Sequence, residues 1–135
     1  MRGYNVIWIY DAAAEKALFC VRRGEPYAGL LNLVGGKIEP GEDGLAAAHR
    51  ELREEAGIVN IKLVHLMDFV YYQREACRVE VYAGRLAAGA EVRGGEEELR
   101  WLGADEDFFD AKRFAGEGNI GHIREIVKQN HDRLG

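Results

Sequence analysis

The strongest constraint on the fold is a change of hydrophobic period that follows a double glycine, Gly35–Gly36. Apolar residues then recur at spacings of three, four and four, which predicts an amphipathic helix over Gly44–Ala56. Asp43 stands where an N-cap is expected, and Gly57 stands where a glycine ends a helix. The predicted buried face of this helix consists of Leu45, Ala48, Leu52 and Ala56.

The segments around this helix have the composition and spacing of β-strands joined by turns. The third strand is expected to stop at the double glycine, and Gln73-Arg74-Glu75 is expected to form a turn. A second amphipathic helix is predicted over Asn119–Leu134, so the pattern indicates one mixed α/β domain over residues 1–135. Strands are predicted over Asn5–Tyr10, Lys16–Arg22, Leu30–Val34, Ile61–Tyr72, Ala76–Leu86 and Glu98–Leu102.

Charge and cysteine content restrict the partners and the compartment. The formal net charge of −5 gives no polycationic surface for duplex nucleic acid. Cys20 and Cys77 have no metal-ligand spacing and are expected to be reduced thiols. The N-terminus lacks the apolar region of a signal peptide, and no apolar run has the length of a membrane span. We therefore expect a cytoplasmic protein that does not enter a membrane.

The informative chemistry lies in three glutamates of the predicted helix. Glu51, Glu54 and Glu55 are spaced i, i+3 and i+4, so they share one side, which is expected to point away from the apolar face. Like charges at this spacing repel one another, and the C-terminal end of a helix also disfavours anions. A solvated acidic surface is one interpretation. A site for a hard divalent cation, which binds carboxylate oxygens, is the other.

The stretch Gly36–Ile58 resembles the Nudix box, whose pattern is G-x5-E-x7-R-E-U-x-E-E-x-G-U with U an aliphatic residue. The preceding glycine and the wording GGKIEPGE resemble MutT-type members. The resemblance implies an α/β fold, the Nudix α/β/α sandwich with a mixed β-sheet between helices. The defined positions of the box are occupied by Gly36, Glu42, Arg50, Glu51, Leu52, Glu54, Glu55, Gly57 and Ile58.

The same resemblance implies a metal site and a catalytic role for the box glutamates. Glu51, Glu54 and Glu55 are expected to bind Mg²⁺, with Mn²⁺ as a substitute, and one of them is expected to act as the general base. The carbonyl oxygen of Gly36 is a further candidate ligand. Family members often add a carboxylate from a later loop, and Glu96, Glu97 and Glu98 are the candidates here, with Glu97 favoured.

Other positions of the box are expected to support this centre. Arg50 is expected to orient the glutamates through charge-assisted hydrogen bonds and is counted with Glu51 and Glu54 as a catalytic candidate. Glu42 is expected to brace the loop and the helix, with Arg50 as its partner. Gly57 is expected to let the chain turn after the helix.

Three residues outside the box are candidates for substrate binding. Arg22 and Arg23 could contact phosphates, or simply solvate the end of a strand. Asn119 lies where MutT-type enzymes that recognise oxidised guanine have a base-reading asparagine, although an N-cap role is the alternative. Gly118 and Val34 depart from the acid and the proline of those enzymes, which counts against oxidised guanine as the base.

The leading functional hypothesis is a Mg²⁺-dependent pyrophosphohydrolase that acts on a nucleoside triphosphate. The close alternative is a hydrolase of ADP-ribose, a nucleotide sugar or a dinucleoside polyphosphate. A nucleotide-sensing module without catalysis is a different class, but such modules usually lose a box glutamate. An isomerase would need a catalytic cysteine, and neither Cys20 nor Cys77 has a partner nearby in sequence. The expected partner is a nucleotide-type small molecule, and the family analogy allows a homodimer.

Overall fold

The computed structural model describes residues 1–72 and 75–135. Its strands and helices follow one another in the order that the hydrophobic periods predict, with the first helix between the third and fourth strands. A short 3₁₀ turn, His131–Arg133, follows the second helix. In chain order the elements are β1 Arg2–Tyr10, β2 Lys16–Val21, β3 Leu31–Ile38, α1 Gly44–Ala56, β4 Val64–Tyr71, β5 Cys77–Arg85, β6 Leu99–Gly103 and α2 Asn119–Gln129.

The six strands form one mixed sheet in the order β4-β5-β1-β3-β2-β6. Strands β1 and β5 pair in parallel along their whole length, from Arg2 opposite Cys77 to Tyr10 opposite Arg85. The other pairings between these six strands are antiparallel. Strand β3 is shared between two neighbours, because its first residues pair with β2 and its last residues pair with β1.

Each helix covers one face of this sheet, and each face carries its own apolar cluster. The two clusters account for the stability of a two-sided sandwich, because each face of the sheet is removed from water. The α2 side includes Trp8, Phe19, Phe114, Ile123 and Val127. The α1 side includes Ile7, Ile9, Leu18, Val34 and Leu52. The predicted α/β/α sandwich with a mixed sheet is therefore confirmed.

Two of the predicted element boundaries are wrong in an informative way. Strand β3 continues through the double glycine to Ile38, since Gly35 and Gly36 pair with Val6 and Asn5 of β1. Helix α2 ends at Gln129, before the predicted end. The predicted turn at Gln73-Arg74-Glu75 includes two residues that lie outside the described part of the chain.

The predicted buried face of α1 is confirmed at three of its four residues and is wrong at Leu45. Leu45 is 41% exposed, whereas Ala47 is fully buried. Glu51 was expected to point away from the sheet, but it is only 7% exposed, and its side chain lies between the helix and β3. The face that contacts the sheet is therefore rotated toward Ala47 and Glu51, because β3 offers a glycine surface at this point.

None of the helices in residues 1–72 and 75–135 combines the length and the apolar character that crossing a bilayer requires.

Candidate functional site

Helix α1 is fixed at both ends by its own sequence. The Asp43 carboxylate accepts a hydrogen bond from the Ala46 amide at 3.1 Å, which satisfies one unpaired donor of the first turn. Gly57 adopts a left-handed conformation with φ of 67°. Its amide donates to the Arg53 carbonyl oxygen at 3.1 Å, and the Ile58 amide donates to the Leu52 carbonyl oxygen at 3.2 Å. The bonds at Gly57 hold the last turn, where Glu54 and Glu55 lie, in a defined orientation.

Arg50 is the centre of the polar network around the box. Its Nε donates to Glu42 Oε2 at 2.8 Å, and its Nη2 donates to Glu42 Oε1 at 3.0 Å. Nη1 donates to Glu51 Oε1 at 3.1 Å and to Glu54 Oε2 at 3.2 Å. Nη2 also donates to the Lys37 carbonyl oxygen at 3.0 Å, which ties the helix to β3. One guanidinium therefore joins strand, loop and helix.

The pairing of Arg50 with Glu42 is strong enough to shift both groups. The hydrogen bonds from Arg50, and then the bond from the Glu39 amide, lower the pKa of Glu42 to about 2. Glu42 in turn raises the pKa of Arg50. Both groups stay charged across the physiological range, so Glu42 is a fixed brace for Arg50.

Glu51 is held in a position that only a glycine on the facing strand permits. A Cβ atom at Gly36 would lie 2.6 Å from the Glu51 carboxylate. Burial here raises the pKa of Glu51, an effect that the neighbouring Arg50 opposes. The Glu51 carboxylate therefore lies against the backbone of Gly36.

A loop that follows β5 is bonded to the end of α1. The Arg93 amide donates to the Ala56 carbonyl oxygen at 2.8 Å, and the Gly95 amide donates to the Glu55 carbonyl oxygen at 2.9 Å. These bonds satisfy carbonyl groups that the end of a helix leaves free. The sequence analysis missed this connection, and it brings residues 96–98 beside the box glutamates.

Glu55 faces the acids that this loop carries. Its pKa is raised first by burial and then by Glu51, Glu97, Glu96 and Glu54. The three glutamates of the loop point in different directions. Glu97 Oε2 accepts a hydrogen bond from the Arg23 amide at 3.0 Å, whereas Glu98 pairs with Arg100 at 2.6 Å. Glu97 and Glu96 therefore lie nearer to the box glutamates than Glu98 does.

The donor set fits a hard divalent cation. Its members are carboxylates and one backbone carbonyl, which are oxygen ligands of the kind that Mg²⁺ prefers. Arg50 donates hydrogen bonds to two of these carboxylates, Glu51 and Glu54. In the described part of the chain, no group of three or more Asp, Glu, His or Cys side chains is arranged to hold a metal ion. Mg²⁺ does not need a complete set of protein ligands, because it commonly keeps several waters and shares its coordination with substrate phosphates.

The candidate substrate residues do not all remain free. The Arg23 guanidinium donates to the Glu96 carbonyl oxygen at 3.0 Å, so Arg23 is used to hold the acidic loop. Arg22 has a buried Nε without a hydrogen-bond partner among residues 1–72 and 75–135. Asn119 begins α2, but Gly118 is the N-cap residue, so the N-cap interpretation of Asn119 is not the observed one.

Asn119 instead belongs to a polar cluster on the α2 side of the sheet. Its Nδ2 donates to the Tyr71 hydroxyl. Close to it, the Tyr27 hydroxyl is 2.8 Å from both carboxylate oxygens of Glu117, a residue with φ of 54°. Sequence reasoning missed the pairing of Tyr27 with Glu117, because the two residues are 90 positions apart and no local pattern links them.

A further polar residue, Asn5 of β1, lies beside Gly36, the first residue of the box. Asn5 is 1% exposed in a strand whose neighbours are apolar, and its Oδ1 accepts a hydrogen bond from the Gly36 amide at 3.1 Å. An asparagine within the run NVIWIY was a detectable signal, since buried amides are retained only where they are bonded.

Comparison with known proteins gives one family. The profile of the NUDIX domain matches residues 1–118. A comparison with curated protein sequences found no match. Among solved structures, a MutT NUDIX hydrolase from Burkholderia pseudomallei is similar, with 25% identity and a TM-score of 0.74, covering 91% of this chain and 96% of that one.

Two other structures share the fold. An Ap4A hydrolase binary complex from C. elegans has 20% identity and a TM-score of 0.78, with 99% of this chain and 100% of that chain covered. The dihydroneopterin triphosphate pyrophosphohydrolase of E. coli has 19% identity and a TM-score of 0.70, with 94% and 92% covered.

Proposed function

Because this chain belongs to the NUDIX domain family and is a hydrolase of phosphorus-containing anhydrides, we propose that it cleaves a pyrophosphate bond in a nucleotide with the help of Mg²⁺. The observation that carries this proposal is the group of glutamates around Arg50. Its guanidinium bonds Glu51 and Glu54 at 3.1 and 3.2 Å. Glu55 lies beside them and faces the loop that carries Glu97.

The candidate ligands of the cation are Glu51, Glu54, Glu55 and Glu97, with the Gly36 carbonyl oxygen. When bound, Mg²⁺ neutralises charge on a pyrophosphate and makes a coordinated water easier to deprotonate. Glu54 is the proposed general base, because its half-exposed side chain, 54% accessible, can reach a solvent-derived nucleophile. Arg50 keeps this carboxylate oriented through its hydrogen bond at 3.2 Å.

The proposed substrate is a nucleoside triphosphate, which water would cleave to a monophosphate and pyrophosphate. The cluster of Asn119 and Tyr71, with Tyr27 and Glu117 nearby, offers hydrogen-bonding groups for a base on the α2 side of the sheet. Arg22 and Arg23 directly follow β2 and are the proposed phosphate contacts, with Arg23 bonded to the acidic loop. One domain over residues 1–135 would carry the whole site.

The alternatives differ in the group attached to the diphosphate. Structures of similar fold include a protein described as an Ap4A hydrolase and one described as a dihydroneopterin triphosphate pyrophosphohydrolase. Dinucleoside polyphosphates, ADP-ribose and nucleotide sugars are therefore the competing substrate classes. An isomerase that needs a thiolate is disfavoured, since burial raises the pKa of Cys20 to about 12. A cytoplasmic location stays a prediction, which the two free cysteines support.

The test is a substrate panel with purified protein and Mg²⁺. It covers canonical and oxidised deoxynucleoside triphosphates, ADP-ribose, nucleotide sugars and dinucleoside polyphosphates, with release of phosphate or pyrophosphate as the readout. We expect Glu54→Gln to lower kcat by a factor of about a hundred or more, because it removes both a ligand and the base. Glu125→Gln on the exposed surface of α2 is the matched control. Nucleotide binding without turnover of any compound would contradict the hydrolase and favour a sensor.

A further inference from the structure

A row of buried polar side chains crosses the sheet beneath α1. Apart from Glu51, the buried polar or charged side chains of the described chain are Asn5 and Glu80, which are 1% and 9% exposed. Asn5 of β1 pairs with Gly36 of β3 on one side and with Glu80 of β5 on the other. Because Glu51 lies directly over Gly36, the row passes through the otherwise apolar layer between the sheet and the helix.

The two ends of this row differ in how well they are bonded. Glu80 accepts hydrogen bonds from the Tyr82 hydroxyl at 2.6 Å and from Arg78 at 3.0 Å. Asn5 uses only its Oδ1, which accepts from the Gly36 amide. Its Nδ2 is buried and has no acceptor among residues 1–72 and 75–135. A buried amide that is half used destabilises a fold compared with an apolar side chain of the same volume, so a reason for an asparagine has to be sought.

The reason lies in the double glycine of the box, which is held from both sides. A Cβ atom at Gly35 would collide with the Asn5 backbone oxygen and lie 2.9 Å from Asn5 Oδ1. A Cβ atom at Gly36 would lie 2.6 to 2.7 Å from the Glu51 carboxylate. The Gly35–Gly36 peptide is therefore clamped between Asn5 and Glu51, and the Asn5 hydrogen bond fixes its rotation.

We propose that Asn5 is a positioning residue of the metal centre. This inference rests on the function proposed above. Its Oδ1 holds the Gly36 amide, and so anchors the residue whose carbonyl oxygen and facing Glu51 carboxylate are the candidate ligands of a divalent cation. Groups that orient metal ligands typically change metal affinity by about 10- to 100-fold when they are removed.

The test measures metal binding without substrate. Asn5→Leu removes the acceptor at similar volume, and Mn²⁺ affinity is measured by titration calorimetry or electron paramagnetic resonance. We expect Mn²⁺ binding to weaken by about tenfold and hydrogen exchange of the Gly36 amide to accelerate in the folded protein. In turnover, the Mg²⁺ concentration for half-maximal activity should rise, while the substrate KM at saturating Mg²⁺ should change less than about twofold.

Ile7→Val is the matched control, because Ile7 lies two residues along the same strand and face and is fully buried. It should lower the unfolding temperature without changing Mn²⁺ affinity. Asn5→Ala, which leaves room for a water molecule, carries the same test if Asn5→Leu does not fold. Unchanged Mn²⁺ affinity in a folded Asn5 variant overturns the positioning role alone. Wild-type Mn²⁺ binding that Glu51→Gln leaves intact contradicts the proposed function itself, and this inference with it.

Discussion

At the scale of single residues, Glu51 combines two opposing requirements. A carboxylate binds a cation only when ionised, yet burial against Gly36 favours its neutral form. Arg50 opposes that effect at 3.1 Å and is itself anchored by Glu42. Arg50 therefore favours the charged form of the Glu51 carboxylate at a site that is shielded from solvent. There the carboxylate interacts with a cation more strongly than it would in water.

The contact between Gly36 and Glu51 gives a prediction for Gly36→Ala. The added Cβ meets the end of a flexible side chain, so we expect Glu51 to move aside and the free energy of unfolding to fall by less than about 1 kcal/mol. Displacing a catalytic group by about 1 Å can cost a factor of about a hundred, so kcat should fall by that order. Urea unfolding and steady-state kinetics measure the two effects. Gly24→Ala, which meets no atom within 4 Å, should change neither.

The sequence predicts individual residues well where their partners are local. The resemblance to the Nudix box implies hydrogen bonds from Arg50 to the neighbouring glutamates, and in the structure Arg50 donates to Glu51 and Glu54. It did not predict that Glu51 is buried, because that depends on a glycine of another strand. The bond between Asn119 and Tyr71 spans 48 residues, and no period or motif reports such a contact.

At the scale of elements, α1 is the best predicted part of the fold. Its start, its end and both caps follow from side-chain chemistry within the helix and the residues next to it. Strand β3 is the counterexample. The double glycine predicts a stop, but pairing with Asn5 and Val6 of β1 carries the strand through it. Tertiary pairing overrides local propensity at this point.

The left-handed end of α1 supports a prediction for Gly57→Ala. An alanine with φ near 67° is strained, and we expect the free energy of unfolding to fall by about 1 to 2 kcal/mol. Space is not the cause, because the nearest atom to the new Cβ is Arg93 Cβ at an ordinary 3.5 Å. Chemical denaturation measures the change. A decrease of equal size in Gly94→Ala, where the conformation needs no glycine, would argue against this explanation.

At the scale of the whole molecule, the strand order is what sequence alone could not supply. The hydrophobic periods predict two helices and six strands, but they do not predict the parallel pairing of β1 with β5. These two strands are separated along the chain by α1 and three other strands. That pairing brings Glu80, Asn5 and Gly36 into one row under α1. The loop after β5 likewise reaches α1 only because the sheet brings β5 and the helix together.

The acidic site links the stability of the whole molecule to pH and metal. Burial and four neighbouring glutamates raise the pKa of Glu55 above its ordinary value of 4.5. A raised pKa in the folded state contributes stability at low pH, and this contribution is lost as pH rises through the raised pKa. Without metal at pH 8, we therefore expect Glu55→Gln to be more stable than the wild type, and the difference should shrink at pH 4.

Mg²⁺ should reverse this order at pH 8. A cation at 100 times its Kd stabilises the wild type by about 2.7 kcal/mol, and a variant that lacks one ligand should gain less. The unfolding temperature of each protein is measured with EDTA and with Mg²⁺, at pH 4 and at pH 8, which gives four conditions. Glu125→Gln on the surface of α2 should follow the wild type throughout. If Mg²⁺ stabilised Glu55→Gln as much as the wild type, Glu55 would not be a ligand, and the repulsion around it would have to serve another purpose.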